Sequence, residues 1–270
     1  MPIRLIALDL DDTLLKEDLT ISDANREALR AAHAAGARIV LASGRNIYSM
    51  EAYARALGLA GPDDYLICSN GAEIVETATG RRLYERRMEP GLCRDVARAL
   101  AERGFPWQVY EGGRILASAR NPWTDEDTRL TGQPNSLVED EEALFARGQV
   151  KYVVPGDPAK IPALRDEMAR LFEGRAEVLV SKPYFMEVLA AGVDKGEALS
   201  RLAGLLGLSL ESTMACGDAM NDLGMLRAAG LSCAPANAIP AAKEAAGFVS
   251  PLTNDEDFVA DAVRRFVLKA

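Results

Sequence analysis

The sequence predicts an α/β protein: a Rossmann-like parallel sheet with helices on both faces, interrupted by an inserted domain of mixed α+β character. Three observations lead there. Short apolar runs alternate with helical patterns at both ends of the chain, the rhythm is lost in the middle, and a polar cluster follows directly on several of the apolar runs.

The first stretch opens with the strand "IRLIALDL". A helix follows in "ISDANREALRAAHAAG", capped by Ser22 or Asp23 and stopped by Gly36. Next come the strand "ARIVLAS", the helix "NIYSMEAYARALGL", and the strand "YLICSNGAEIV", which holds a hairpin-like turn at Asn70 and Gly71. The rhythm returns late with helix "KGEALSRLAGLLGL", strand "STMACGD", helix "MNDLGMLRAAG", strand "LSCAPAN" and a closing helix from about Asp255. Such β-α-β alternation makes a parallel sheet covered on both faces. The middle reads differently, as strand pieces mixed with the amphipathic helices "PGLCRDVARALAERG" and "IPALRDEMARLF" and a polar, loop-rich tract from Asn121 to Ser136. The reading places one discontinuous domain at residues 1–82 and 187–270 and the insertion at residues 83–186.

The 270 residues, 49% of them hydrophobic, are enough for a sizeable core. No apolar stretch reaches the ~18 residues of a membrane span, and "MPIRLIAL" meets Asp9 too early for a secretory signal, so the expected location is the cytoplasm. A formal net charge of -9, with no Lys/Arg stripe, argues against nucleic-acid or membrane partners. Cys68, Cys93, Cys216 and Cys233 have neither zinc spacing nor a disulfide framework and read as buried thiols. His33 is the only histidine and sits near a helix C-terminus, where a basic group complements the helix dipole. A multi-histidine metal site is therefore excluded.

Ligands of open α/β sheets bind beyond the carboxyl ends of the strands. There lie "DLDDT" (Asp9 to Thr13), "ASGR" (Ala42 to Arg45) and "GDAMND" (Gly217 to Asp222). On an extended segment Asp9 and Asp11 project to one side. If Asp218 and Asp222 meet them, each carboxylate pair at about 4 Å costs on the order of 4 kcal/mol at an effective dielectric of 20. A cation relieves that repulsion, and oxygen-only ligands point to Mg²⁺. Plainer readings exist: Asp11, Asp12 and Thr13 as a turn, Ser43 as the cap of the next helix, Asp218 as the cap of a helix starting near Met220. Lys195 at a helix start opposes the dipole unless an anion sits there.

In order along the chain, "DLDDT", "ASGR", "DKG" and "GDAMND" resemble the four motifs of the haloacid dehalogenase superfamily of phosphohydrolases, and "ICSNGAEI" with the insertion resembles its Cof-like subgroup. The resemblance implies Asp9 as nucleophile forming an aspartyl-phosphate, and Asp11 as general acid and then base. It implies Thr13, Ser43, Gly44, Arg45, Lys195 and Asn221 around the phosphoryl group. Mg²⁺ would be held by Asp9, Asp11 through its carbonyl, and Asp218, with Asp222 supporting the site. Ala219, where the family often has Gly, and Pro235 depart from the pattern without removing a charge. The expected substrate is a small phosphorylated metabolite such as a sugar phosphate or cofactor phosphate. The inserted cap would close over it, with Trp107, Tyr110, Trp123 and Arg45 as candidates for that contact; Trp107 and Tyr110, on a β-like stretch, read more readily as core packing. A monomer or homodimer is expected. A phosphomutase of the same superfamily and a phospho-accepting signalling module are the alternatives.

Overall fold

The computed structural model describes residues 2–61 and 63–269. The chain divides into two compact units, residues 1–84 with 194–270, and residues 85–193. The predicted cut at residue 186 would fall inside a strand, Phe185–Ala190, that belongs wholly to the second unit. The reason is pairing: that strand is hydrogen-bonded on both sides within the second sheet.

The first unit begins β1 (Leu5–Leu8), α1 (Asp23–Ala34), β2 (Arg38–Ala42), α2 (Ile47–Leu57), β3 (Tyr65–Cys68), β4 (Glu73–Glu76) and β5 (Arg82–Glu85). The second unit holds α3 (Pro90–Glu102), β6 (Gln108–Glu111), β7 (Arg114–Ala117), α4 (Pro122–Thr131), β8 (Asn135–Leu137), α5 (Glu141–Ala146), β9 (Lys151–Pro155), α6 (Ile161–Leu171), β10 (Ala176–Lys182) and β11 (Phe185–Ala190). The chain returns to the first unit as α7 (Lys195–Leu205), β12 (Thr213–Cys216), α8 (Leu223–Ala228), β13 (Leu231–Ala234), α9 (Pro240–Ala245), β14 (Phe248–Val249) and α10 (Phe258–Val263).

Among the described residues the first unit's sheet runs β14-β13-β12-β1-β2-β3-β4-β5. The pairs from β14 to β3 are parallel, and β4 turns back antiparallel on β3. The turn is built from left-handed residues, Ser69 at φ 52°, Asn70 at φ 58° and Gly71 at φ 101°. Alternating side chains show why the central strands read as continuous apolar runs. Ile6, Leu8, Ile39 and Leu41 pack in a core with residues of α1, α2 and α10, whereas Leu5, Ala7, Val40 and Ala42 pack with Leu199 and Leu202 of α7 and Met225 of α8.

The second unit's sheet runs β10-β11-β9-β6-β7-β8. Trp107, Val109, Tyr152, Val154, Met186 and Val188 pack in one core with residues of α3, α5 and α6. Trp107 is thus a core residue, its ring 5.2 Å from Tyr152 and 5.5 Å from Phe145. The tract read as loop-rich contains α4, and Trp123 sits in its first turn. Asn121 caps this helix by accepting from the N–H groups of Trp123 and Thr124. Its buried positions are Thr124 and Asp127, so it lacks the apolar stripe that marks a helix in sequence.

Candidate active site

Strand β1 ends at Leu8 and hands the chain to Asp9, whose N–H donates to the Cys216 carbonyl at 3.0 Å. That bond aligns the ends of β1 and β12, so Asp9 and Asp218 emerge from neighbouring parallel strands. Asp9 and Asp11 keep extended dihedrals, φ -66°, ψ 156° and φ -71°, ψ 129°, but the segment as a whole curls instead of continuing as a strand. Residues Leu10–Leu14 form one wide turn, closed by the Leu15 N–H on the Leu10 carbonyl at 2.8 Å. Asp12 stands in the left-handed region at φ 60°, and its carbonyl accepts from Asn237 Nδ2 at 2.8 Å. The turn buries Thr13, whose hydroxyl donates to Asp218 Oδ1 at 2.6 Å.

Lys195, the first residue of α7, is wholly buried, with Nζ 2.6 Å from Asp9 Oδ1 and 2.7 Å from Asp222 Oδ1. A cation at a helix start opposes the dipole, and these two carboxylates are the anions that offset it. Asp194 caps the helix by accepting from the N–H groups of Gly196 and Glu197. Asp222 Oδ2 accepts from the N–H groups of Asp218 and Ala219 at 3.0 Å each. The loop is therefore capped by Asp222 and not by Asp218. Ala219 lies at φ -121°, ψ 179°, extended backbone that needs no glycine, which explains why the departure from Gly is harmless to the loop.

Asp9, Asp218 and Asp222 bring carboxylate oxygens within 4.8 Å of one another, all three residues buried. Burial pushes the Asp9 carboxyl well above the usual carboxylate range; Lys195 pulls it back, and Asp222, Asp218 and Asp11 push it further up. Asp218 is pushed up to about 7, chiefly by burial, against the Thr13 hydrogen bond and with repulsion from Asp222 and Asp12. Burial works against the Lys195 ammonium, yet attraction to Asp222 and Asp9 holds it above its ordinary range. One ammonium among three carboxylates leaves excess negative charge, and the donors are all oxygen, so the residues fit a hard divalent cation. Both Asp222 oxygens have protein donors, and Asp9 and Asp218 are the better placed ligands.

Of the other expected site residues, Ser43 follows β2 but does not cap α2; Asn46 does, accepting from the Ser49 N–H. Ser43 Oγ accepts instead from the Arg45 N–H at 3.2 Å. The Asn70 side chain leaves little room at Gly44, where a Cβ would lie 3.1 Å from its Oδ1. Arg45 turns its guanidinium to Asp11, Nε to Oδ2 at 2.9 Å and Nη2 to Oδ1 at 2.6 Å. Asn221 Nδ2 donates to Asn70 Oδ1 at 2.9 Å, and the Asn70 N–H donates to the Ser43 carbonyl at 3.0 Å. Asn70 thus ties the second and fourth clusters together. It reads as a turn residue in sequence, and only its buried position, which no pattern shows, marks it as part of this constellation. Tyr110 hydrogen-bonds Asp127 within the second unit at 2.7 Å.

The sequence family described as haloacid dehalogenase-like hydrolase matches residues 6–263. The chain belongs to the haloacid dehalogenase-like hydrolases. Its type within the superfamily is Cof-like, and its activity class is that of a phosphatase. Similar proteins include the 5-amino-6-(5-phospho-D-ribitylamino)uracil phosphatase YcsE of Bacillus subtilis, 32% identical with 98% of this chain and 96% of the relative covered. An HMP-PP phosphatase of an Enterobacter species is 30% identical over 88% of this chain and 85% of its own. Among solved structures, a haloacid dehalogenase-like hydrolase from Bacteroides thetaiotaomicron superposes with a TM-score of 0.89 at 31% identity, covering 97% of this chain and 99% of that one. No helix among the described residues of this hydrolase is long and apolar enough to cross a membrane.

Proposed function

We propose that the protein is a Mg²⁺-dependent phosphatase of small phosphate monoesters that works through an aspartyl-phosphate on Asp9. The observation that carries the reading is the position of Asp9: a buried carboxylate at a strand end, one oxygen held by Lys195, beside Asp218 and Asp222. Asp9 and Asp218, with the Asp11 carbonyl, would hold the metal, which when bound supplies positive charge to the phosphoryl oxygens. Lys195 fixes Asp9 Oδ1 and leaves Oδ2 to attack phosphorus. The ester oxygen leaves with the electron pair of the broken P–O bond and takes a proton from Asp11. Water then attacks the phosphoenzyme, its proton passes to Asp11, and Asp9 is released with inorganic phosphate. Such a reaction asks the protein mainly for alignment and charge neutralisation. Thr13, Ser43, Gly44 and Asn221 surround the phosphoryl position in this reading.

Of the similar phosphatases, one is named for a uracil with a phosphorylated ribitylamino chain and another for HMP-PP. The phosphorylated ribitylamino compound belongs beside sugar phosphates and cofactor phosphates in the substrate set to be tried. The test is phosphate release from a panel of sugar, nucleotide and cofactor phosphates with Mg²⁺ and with a chelator. Turnover that persists without metal, or an Asp9→Asn variant with normal rates, overturns the reading.

A further inference from the structure

We infer that Arg45 is a positioning residue for Asp11, fixing that carboxylate for hydrolysis of the phosphoenzyme, and is not a ligand of the phosphate. The inference rests on the aspartyl-phosphate reading and assigns within it a residue that sequence pattern places on the substrate.

The geometry is a two-point fork. Arg45 Nε meets Asp11 Oδ2 at 2.9 Å and Nη2 meets Oδ1 at 2.6 Å, so both oxygens and hence the carboxylate plane are set by the guanidinium plane. A single contact would leave the carboxylate free to rotate. Arg45 is itself held along its length. Its N–H donates to Ser43 Oγ at 3.2 Å, its carbonyl accepts from the Ser69 N–H at 2.9 Å, and its guanidinium carbon lies 5.5 Å from the centre of the Tyr53 ring. The pair is mostly shielded, with side-chain exposures of 15% for Arg45 and 28% for Asp11, so the contact is more than a solvated surface bridge. A fork committed to a carboxylate through two nitrogens is directed away from a second anion.

The step served is the second one. The water oxygen forms a bond to phosphorus, the bond from phosphorus to Asp9 Oδ2 breaks with its electron pair returning to Asp9, and the water proton goes to Asp11. A base must lie within hydrogen-bond reach of that proton, and a misplacement of about 1 Å can lower a rate by about 100-fold. The first step is separable from this one, because nitrophenolate leaves p-nitrophenyl phosphate without a proton from Asp11.

The experiment compares wild type, Arg45→Ala, Arg45→Lys and Asp11→Asn on p-nitrophenyl phosphate with Mg²⁺, by rapid mixing and at steady state. For Arg45→Ala the expected result is a nitrophenolate burst approaching one equivalent per site, a kcat lowered about 10- to 100-fold, a KM lowered in parallel, and kcat/KM within about twofold of wild type. Arg45→Lys keeps the charge without the fork and shows the same pattern more weakly. It carries the test alone if circular dichroism shows that Arg45→Ala does not fold. A raised KM with lowered kcat/KM and no burst, as for a lost phosphate ligand, overturns the proposal, and so do unchanged kinetics in both variants. If Asp11→Asn itself gives no burst, the aspartyl-phosphate reading fails. If Asp11→Asn gives one and neither Arg45 variant does, only the assignment of Arg45 falls.

Discussion

The Thr13 hydroxyl donates to Asp218 Oδ1 at 2.6 Å, a buried bond between residues 205 positions apart in the chain. It orients a carboxylate that burial and its acidic neighbours otherwise drive toward protonation. Thr13→Val keeps the shape and removes the donor. The expected outcome is a Mg²⁺ requirement raised about 10- to 100-fold, in line with lost support behind a metal ligand. Titration of phosphatase activity with Mg²⁺ checks it, and an unchanged midpoint refutes it.

Among the described residues Lys195 is the cation paired with both Asp9 and Asp222, and no part of it meets solvent. In Lys195→Met two buried carboxylates lose their partner at once. Loss of activity and a destabilisation of about 3–5 kcal/mol are expected, the range for breaking a buried pair from one side. Urea unfolding measures the second quantity, and a loss below about 1 kcal/mol argues against a structural share for this lysine.

The raised Asp218 carboxyl sets a pH dependence for the metal-free protein. A carboxyl with a folded value near 7 against about 4 in the unfolded chain holds its proton more tightly when folded. Its contribution to stability is present below about pH 4 and is lost as pH rises through about 7. In a chelator, therefore, the thermal midpoint of wild type falls from pH 5 to 8, and Asp218→Asn flattens that fall while abolishing activity. Midpoints that rise over this interval in wild type would contradict the assignment.

Helices α7 and α8 meet where Gly196 approaches Gly224, and a Cβ on Gly196 would overlap the Gly224 backbone. Backbone cannot rotate aside as a side chain can. Gly196→Ala, next to Lys195, is expected to destabilise by about 1–3 kcal/mol and to lower activity by displacing the ammonium. Thermal unfolding and phosphate release measured on the same preparation test both parts, and a variant as stable as wild type rules out the close approach.

Much of this was legible because the sheet's periodicity and the clusters at its strand ends are local properties of the chain. Asp9, Lys195, Asp218 and Asp222 could be nominated from short motifs, since a buried carboxylate cluster asks for a cation. Other features rest on partners far away in sequence. Ser43 looked like a helix cap, but Asn46 takes that place and Ser43 bonds Arg45. Arg45 looked directed at an anionic ligand, and its anion proves to be Asp11, 34 positions earlier. Helix α4 escaped notice because its buried side chains, Thr124 and Asp127, are polar.

The sequence by itself determined the α/β class, the insertion and the identity of the acids and the lysine, because hydrophobic period and residue chemistry are written one position at a time. Tertiary structure alone decided which acid faces which cation. Hydrogen bonds such as those of Arg45 with Asp11 and of Asn221 with Asn70 depend on side-chain direction over a few tenths of an ångström, and only the packed sheet and its loops fix that direction.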